Sequence, residues 1–224
     1  MPRINRVDVG NNIYHVINRA NARVQIFDND EDYKLFESIL EEAVERFDMR
    51  LFAYCIMPNH FHLVLYPKKD GDLSRFMSWL TNTHTRRWHT VKKTIGQGHL
   101  YQGRYKSFIC QKDNYLLALL RYVEQNAKKA NLCKLAQDWK WCSLWRRENG
   151  ILKQKKILSD WLIDVPKDYL LFVNQIQKKE EEEVIERSII KSNPFGDIDW
   201  TERIVKKFGI EQTLKRVGRP KNGG

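Results

Sequence analysis

Short apolar or alternating runs mark strands, because successive side chains of a strand point to opposite faces. Such runs occupy residues 13–17, 50–57, 60–66 and 105–110. Apolar residues at three- and four-residue spacing mark helices. Tyr33, Phe36, Ile39, Leu40, Ala43 and Val44 predict a helix from a cap at Asn29 or Asp30 to about Phe47. Leu73, Phe76, Met77, Leu80, Thr83 and His84 predict a second over 73–88, and Asp113 caps a third, strongly apolar, over 114–129. Residues 18–23 form a polar basic turn. Pro58-Asn59 is a tight turn joining the second and third strands into a hairpin. Gly96, Gly98 and Gly103 punctuate a flexible stretch before the fourth strand.

The order is therefore strand, helix, strand, strand, helix, strand, helix. Its first six elements fit the split β-α-β pattern of the α+β class. The expected architecture is a ferredoxin-like antiparallel sheet with helices packed on one face. That architecture implies no function by itself.

The character changes after Asn149-Gly150, dividing 1–150 from a helical extension with a basic tail, 151–224. A long helix is expected over 167–191, with Leu170, Val173, Ile176, Val184, Ile185 and Ile189 on its apolar side. Lys178-Lys179-Glu180-Glu181-Glu182-Glu183 interrupts that side and reads as solvated surface rather than a metal site. Residues 192–197, with Pro194 and Gly196, read as a linker. Residues 199–202 resemble a capping box, and two short helices divided at Gly209 are expected to follow.

Composition narrows the partner. The 224 residues are 42% hydrophobic and 12% aromatic, which suits a folded core. Lys and Arg number 39 against 28 Asp and Glu, a net charge of +11, pointing to a polyanion and most simply to nucleic acid. The first residues lack the apolar stretch of a signal peptide, and no run has the length of a membrane span. Cys55, Cys110, Cys133 and Cys142 show no C-x-x-C spacing. They read as reduced structural thiols of a cytoplasmic protein rather than zinc ligands.

The chemistry concentrates on the strand His60-Phe61-His62-Leu63-Val64-Leu65-Tyr66. His60 and His62 point the same way and Phe61 points into the opposite layer. Two imidazoles so placed can chelate one metal ion, and a third ligand from another element would leave positions open for a substrate. On the third helix Tyr122 and Asn126 share a face one turn apart. A tyrosine can be a covalent nucleophile, and an asparagine carbonyl is a hard oxygen ligand for Mg²⁺ or Mn²⁺. In a ferredoxin-like fold this helix can lie close to the third strand.

Ordered segments carry a family likeness. They are Tyr14-His15-Val16-Ile17-Asn18-Arg19, Cys55-Ile56-Met57-Pro58-Asn59-His60-Phe61-His62, and Gly98-His99-Leu100-Tyr101-Gln102-Gly103-Arg104-Tyr105-Lys106. Tyr115-Leu116-Leu117 then leads to Arg121-Tyr122-Val123-Glu124-Gln125-Asn126, and Trp141-Cys142-Ser143 closes the set. Over roughly residues 10–148 the chain resembles the single-tyrosine HUH transposases, and most closely the REP-associated tyrosine transposases. The resemblance implies that His60 and His62 bind a divalent metal, Mg²⁺ or Mn²⁺, that Asn126 completes the protein ligands, and that Tyr122 is the nucleophile. The family's Asn-Pro is here Asn126-Ala127, which bears on where the helix ends but keeps the ligand type.

The activity so implied is cleavage and rejoining of single-stranded DNA at hairpin-associated sites through a 5′-phosphotyrosine. No ATP is needed, and the chain has no Walker-type phosphate loop. The expected partner is single-stranded or hairpin DNA, with no nucleotide cofactor. Arg19, Arg23, Arg86, Arg87, Arg104 and Lys106 are the expected DNA contacts, with Trp88, Tyr101 and Tyr105 as stacking rings. His15, His84, His89 and His99 read as structural or DNA-proximal. Arg219, in Gly218-Arg219-Pro220, resembles the core of a minor-groove hook. Two rival activities share many of these features. One is a non-catalytic, domesticated DNA-hairpin-binding protein. The other is a hydrolase using a metal-activated water.

Overall fold

The computed structural model describes residues 6–214. β1 (Ile13–Arg19), α1 (Asp30–Phe47), β2 (Arg50–Met57), β3 (His60–Tyr66), α2 (Asp72–Lys92) and β4 (Lys106–Cys110) follow in the expected order. The strands form one antiparallel sheet in the order β2-β3-β1-β4, the ferredoxin-like arrangement. α1 starts where Asn29 accepts from the amides of Glu31 and Asp32, and Asp30, Glu31 and Asp32 place negative charge at its N-terminus. α2 starts where Asp8 accepts from the amides of Leu73 and Ser74.

One face of the sheet carries Tyr14, Val16, Tyr54, Ile56, Phe61, Leu63, Leu65 and Ile109, packed under α1 and α2. The other face is covered as well, by the seventh element of the expected order, the helix that the sequence allowed to lie close to the third strand. α3 (Asn114–Glu124) lies across it, packing Leu116, Leu119, Leu120 and Val123 on Ala53, Cys55, Val64 and Phe108. The reason lies in the strands. Seven of the eight residues of β2 are buried, which requires cover on both faces.

The third helix is shorter than expected. It breaks at Gln125 (φ −92°, ψ 3°), and α4 (Asn126–Lys129) forms a separate turn with Ala127 buried where the family carries proline. α5 (Ser143–Asn149) and α6 (Leu152–Lys155) follow.

Residues after 150 pack on both edges of the sheet. The amide of Ser159 donates to the Leu51 carbonyl (2.9 Å) and the Trp161 indole to the Phe52 carbonyl (2.9 Å), both on β2. At the β4 side, Phe195 exchanges main-chain bonds with Ile109 and Gln111 (2.8 Å each). Both sheet edges are thus blocked against pairing with another chain.

The long helix expected over 167–191 is two: α7 (Tyr169–Asn174) and α8 (Lys179–Lys191), divided by extended Gln175. Ile176, expected on the apolar side, is 96% exposed, whereas Gln177 is buried and bonds Glu181. α9 (Ile198–Phe208) is capped by Asp197, which accepts from the Trp200 amide, so the cap lies within the segment read as a linker rather than at 199–202. Left-handed Gly209 ends α9, and among the described residues a short 3-10 turn, Glu211–Thr213, follows it. The tail with Arg219 lies outside the described residues.

Phe195 is buried against the rings of Tyr115 and Phe108. Phe195→Ala should therefore lower the unfolding free energy by about 3 kcal/mol. Guanidinium denaturation measures this, and an unchanged midpoint would show that β4 does not depend on this edge.

Candidate active site

Strand register decides which side chains meet. His62 lies opposite Ile17 and Cys55, and His60 opposite Arg19 and Met57. Cross-strand neighbours share a face, so both histidines project to the α3 side together with His15, Phe108 and Lys106. The last turn of α3 brings Tyr122 over them. Its ring lies 6.0 Å from that of His62 and 6.4 Å from that of His15. His60, His62, Tyr122 and Asn126 line one cavity of about 800 Å³, rimmed by Arg19, Arg104 and Lys106. The main chain builds this rim, because the Gln102 amide donates to the Arg19 carbonyl (3.0 Å) and ties the 102–104 loop to the end of β1.

The donor atoms suit a divalent cation. Asn59 donates Nδ2–H to the Arg23 carbonyl (3.2 Å), so its Oδ1 faces His60 Nδ1 at 2.6 Å. An amide oxygen only accepts, so His60 Nδ1 carries the proton and Nε2 keeps its lone pair. His62 Nδ1 is also engaged, with His15 Nε2 at 2.9 Å. Asn126 donates Nδ2–H to the Tyr122 carbonyl (2.8 Å), which leaves Oδ1 for a ligand. The imidazoles are neutral, as ligands must be. Burial, with Arg19 second, pushes His60 down to about 4. Burial, then His60, His15 and Arg19, hold His62 well below the usual range. Among the described residues no group of three or more His, Cys, Asp and Glu side chains forms a metal cage. The donor set here is two imidazoles and one amide.

Opposite charges converge on the tyrosine. Burial raises the Tyr122 hydroxyl well above its ordinary value, Glu186 and Glu182 add to this, and Arg19 opposes them. Lys129 of α4 sits 4.9 Å from the ring centre and pairs with Glu182 at 3.1 Å. The acidic run read as solvated surface is thus divided. Glu180 and Glu183 are exposed, Glu181 pairs with buried Arg121, and Glu182 reaches the cavity with Glu186.

The profile of the IS200-like transposases matches residues 8–126, more than half of the sequence. The chain belongs to the IS200-like transposase family. A provisionally named REP-associated tyrosine transposase of Haemophilus influenzae is 23% identical over 119 residues, covering 50% of this chain and 68% of that protein. The solved structure of a REP-associated tyrosine transposase bound to a REP hairpin shares the fold, with a TM-score of 0.57 and 17% identity. The match covers 74% of this chain and 94% of that one.

In this transposase the expected DNA-contact residues scatter. Arg19, Arg104 and Lys106 are at the cavity, whereas Arg23 and Arg86 are exposed elsewhere on the surface. Arg87 makes a two-pronged ion pair with Glu42 (2.6 and 2.8 Å), joining α2 to α1. The expected stacking rings are engaged in packing. Tyr101 is buried and bonded to His84 Nδ1 (2.6 Å), Tyr105 is buried under the Arg6 guanidinium, and Trp88 donates to the Ile26 carbonyl. His89 pairs with Thr94, and His99 lies on a second cavity of about 740 Å³ along α2. That cavity shares Asn18, Gln102, Gly103 and Arg104 with the first. Sequence reasoning missed Asn59, Lys129, Glu182 and Glu186. Only the Pro58-Asn59 turn gave a local signal for any of them.

Two carboxylates in a cavity that would receive phosphate oppose binding. Replacing both Glu182 and Glu186 by Gln should tighten single-stranded DNA binding at low salt roughly tenfold. Fluorescence anisotropy reads this, and weaker binding by a folded double variant would contradict it.

Proposed function

We propose that this chain cleaves and rejoins single-stranded DNA next to a hairpin, with Tyr122 as nucleophile. The observation that carries the reading is the meeting of Tyr122, Asn126, His60 and His62 in one basic-rimmed cavity. Tyr122 Oη would attack phosphorus and displace the 3′-oxygen. The products would be a 5′-phosphotyrosine and a free 3′-hydroxyl. A later attack by a 3′-hydroxyl on the phosphotyrosine would rejoin a strand and restore Tyr122. Each step exchanges one phosphate ester for another, so no nucleotide is consumed.

His60 Nε2, His62 Nε2 and Asn126 Oδ1 would hold Mg²⁺ or Mn²⁺, which would polarise the scissile phosphate and stabilise its developing charge. Arg19 favours the ionised form of Tyr122 and, with Arg104 and Lys106, would neutralise the flanking phosphates. The cavity along α2, which shares Asn18, Gln102, Gly103 and Arg104 with the first, would offer a path for the strand. A hairpin as substrate is supported by the relative solved with a REP hairpin. In this reading residues 1–150 carry the chemistry and residues 151–224 form an extension, of which α8 lines the cavity. The compartment that goes with it is the cytoplasm.

Incubation with hairpin-bearing single-stranded oligonucleotides and Mn²⁺, followed by a denaturing gel, tests the reading. The wild type should give a protein–DNA adduct. Tyr122→Phe should bind the same DNA and give neither adduct nor cleavage, a loss of at least 10²-fold. Cleavage by Tyr122→Phe without an adduct would make the protein a metal-dependent hydrolase. Binding without cleavage by the wild type would make it a hairpin-binding protein.

A further inference from the structure

We propose that His15 is a positioning residue that fixes the tautomer of His62 and aims His62 Nε2 into the cavity. The proposal rests on the reading that His60 and His62 hold a divalent metal, and extends it to a residue outside the ligand set.

His15 sits in the middle of β1, between Val64 of β3 and Phe108 of β4, with hydrogen-bonded strands on both sides. It has no exposed surface, and the Phe108 ring packs on it at 4.8 Å between centres. Its Nε2 lies 2.9 Å from His62 Nδ1, while its Nδ1 is buried with no hydrogen-bond partner among the described residues. A leucine or phenylalanine would fill this position with no unpaired nitrogen of its own, but would take away the partner of His62 Nδ1. A buried imidazole with one unpaired nitrogen therefore calls for a specific role.

One proton lies between the two rings, and its location decides what His62 can do. If His15 Nε2 carries it, His62 Nδ1 accepts, the His62 proton sits on Nε2, and that nitrogen cannot ligate. If His62 Nδ1 carries it, His15 Nε2 accepts and His62 Nε2 presents a lone pair. The neutral His15 proton then sits on Nδ1, the atom with no partner. We infer this second arrangement. His60 is fixed in the same sense by Asn59 Oδ1, so both histidines present Nε2. Groups outside the ligand set that hold metal-binding histidines this way typically change metal affinity about 10- to 100-fold when lost.

The test uses the full chain and Mn²⁺ alone, by calorimetry, with His62→Ala as control. His15→Phe should weaken Mn²⁺ binding about 10- to 100-fold. His15→Gln, whose side-chain oxygen can accept at the Nε2 position, should stay within about threefold of wild type. If wild type binds Mn²⁺, His62→Ala does not, and a folded His15→Phe matches wild type, the role of His15 is overturned and the metal reading stands. If wild type and His62→Ala bind alike, the metal reading falls and takes the proposal with it. Nitrogen-15 NMR of the metal-free wild type decides even if His15→Phe fails to fold. A proton on His62 Nδ1 supports the assignment, and a proton on His62 Nε2 overturns it.

Discussion

β3 has two rows of side chains, and burying one dictates the place of the other. Phe61, Leu63 and Leu65 lie fully buried under α1 and α2. Each such side chain contributes roughly 1.5–3 kcal/mol on burial, and a register slip of one residue would forfeit all three. His60 and His62 are therefore fixed on the opposite face, opposite Arg19 and Ile17. α3 must cover that face because Cys55, Val64 and Phe108 are apolar there, and it carries Tyr122 with it, while Asn126 opens α4 just beyond its end. The strength of the core thus sets the precision of the site.

The same dryness acts in two directions. Burial keeps His60 and His62 neutral, as ligands must be. It also raises the Tyr122 hydroxyl above its ordinary range, which would weaken it as the proposed nucleophile. Arg19 bears on both, disfavouring charged imidazole and favouring ionised tyrosine. α8 pushes the other way through Glu182 and Glu186. Bound DNA would bring negative charge into this balance, so the carboxylates on α8 matter most when substrate arrives.

What depended on local pattern was legible in the sequence. The alternation in β3, the Asn29 cap of α1 and the four-residue step from Tyr122 to Asn126 each contain their own information. So does the order of the first six elements, from which the antiparallel sheet follows. What depended on distant partners was not legible. His15 meets His62 only through strand pairing, and Tyr101 is turned inward by His84, which lies on α2. Arg87 looks like any solvated cation until α1 brings Glu42 to it. The apolar spacing from Leu170 to Ile189 runs through Gln175, where the chain turns extended and Gln177 replaces Ile176 on the buried side. Helical periodicity records which residues are apolar, and here a buried glutamine with its own partners overrode it.

The central claim is that His60, His62 and Asn126 form one divalent cation site beneath Tyr122. A crystal grown with Mn²⁺ and measured for anomalous scattering tests it most directly. The account predicts a single strong peak bonded to His60 Nε2, His62 Nε2 and Asn126 Oδ1. A peak held instead by Glu182 and Glu186, or none within bonding distance of the two histidines at saturating Mn²⁺, would contradict it.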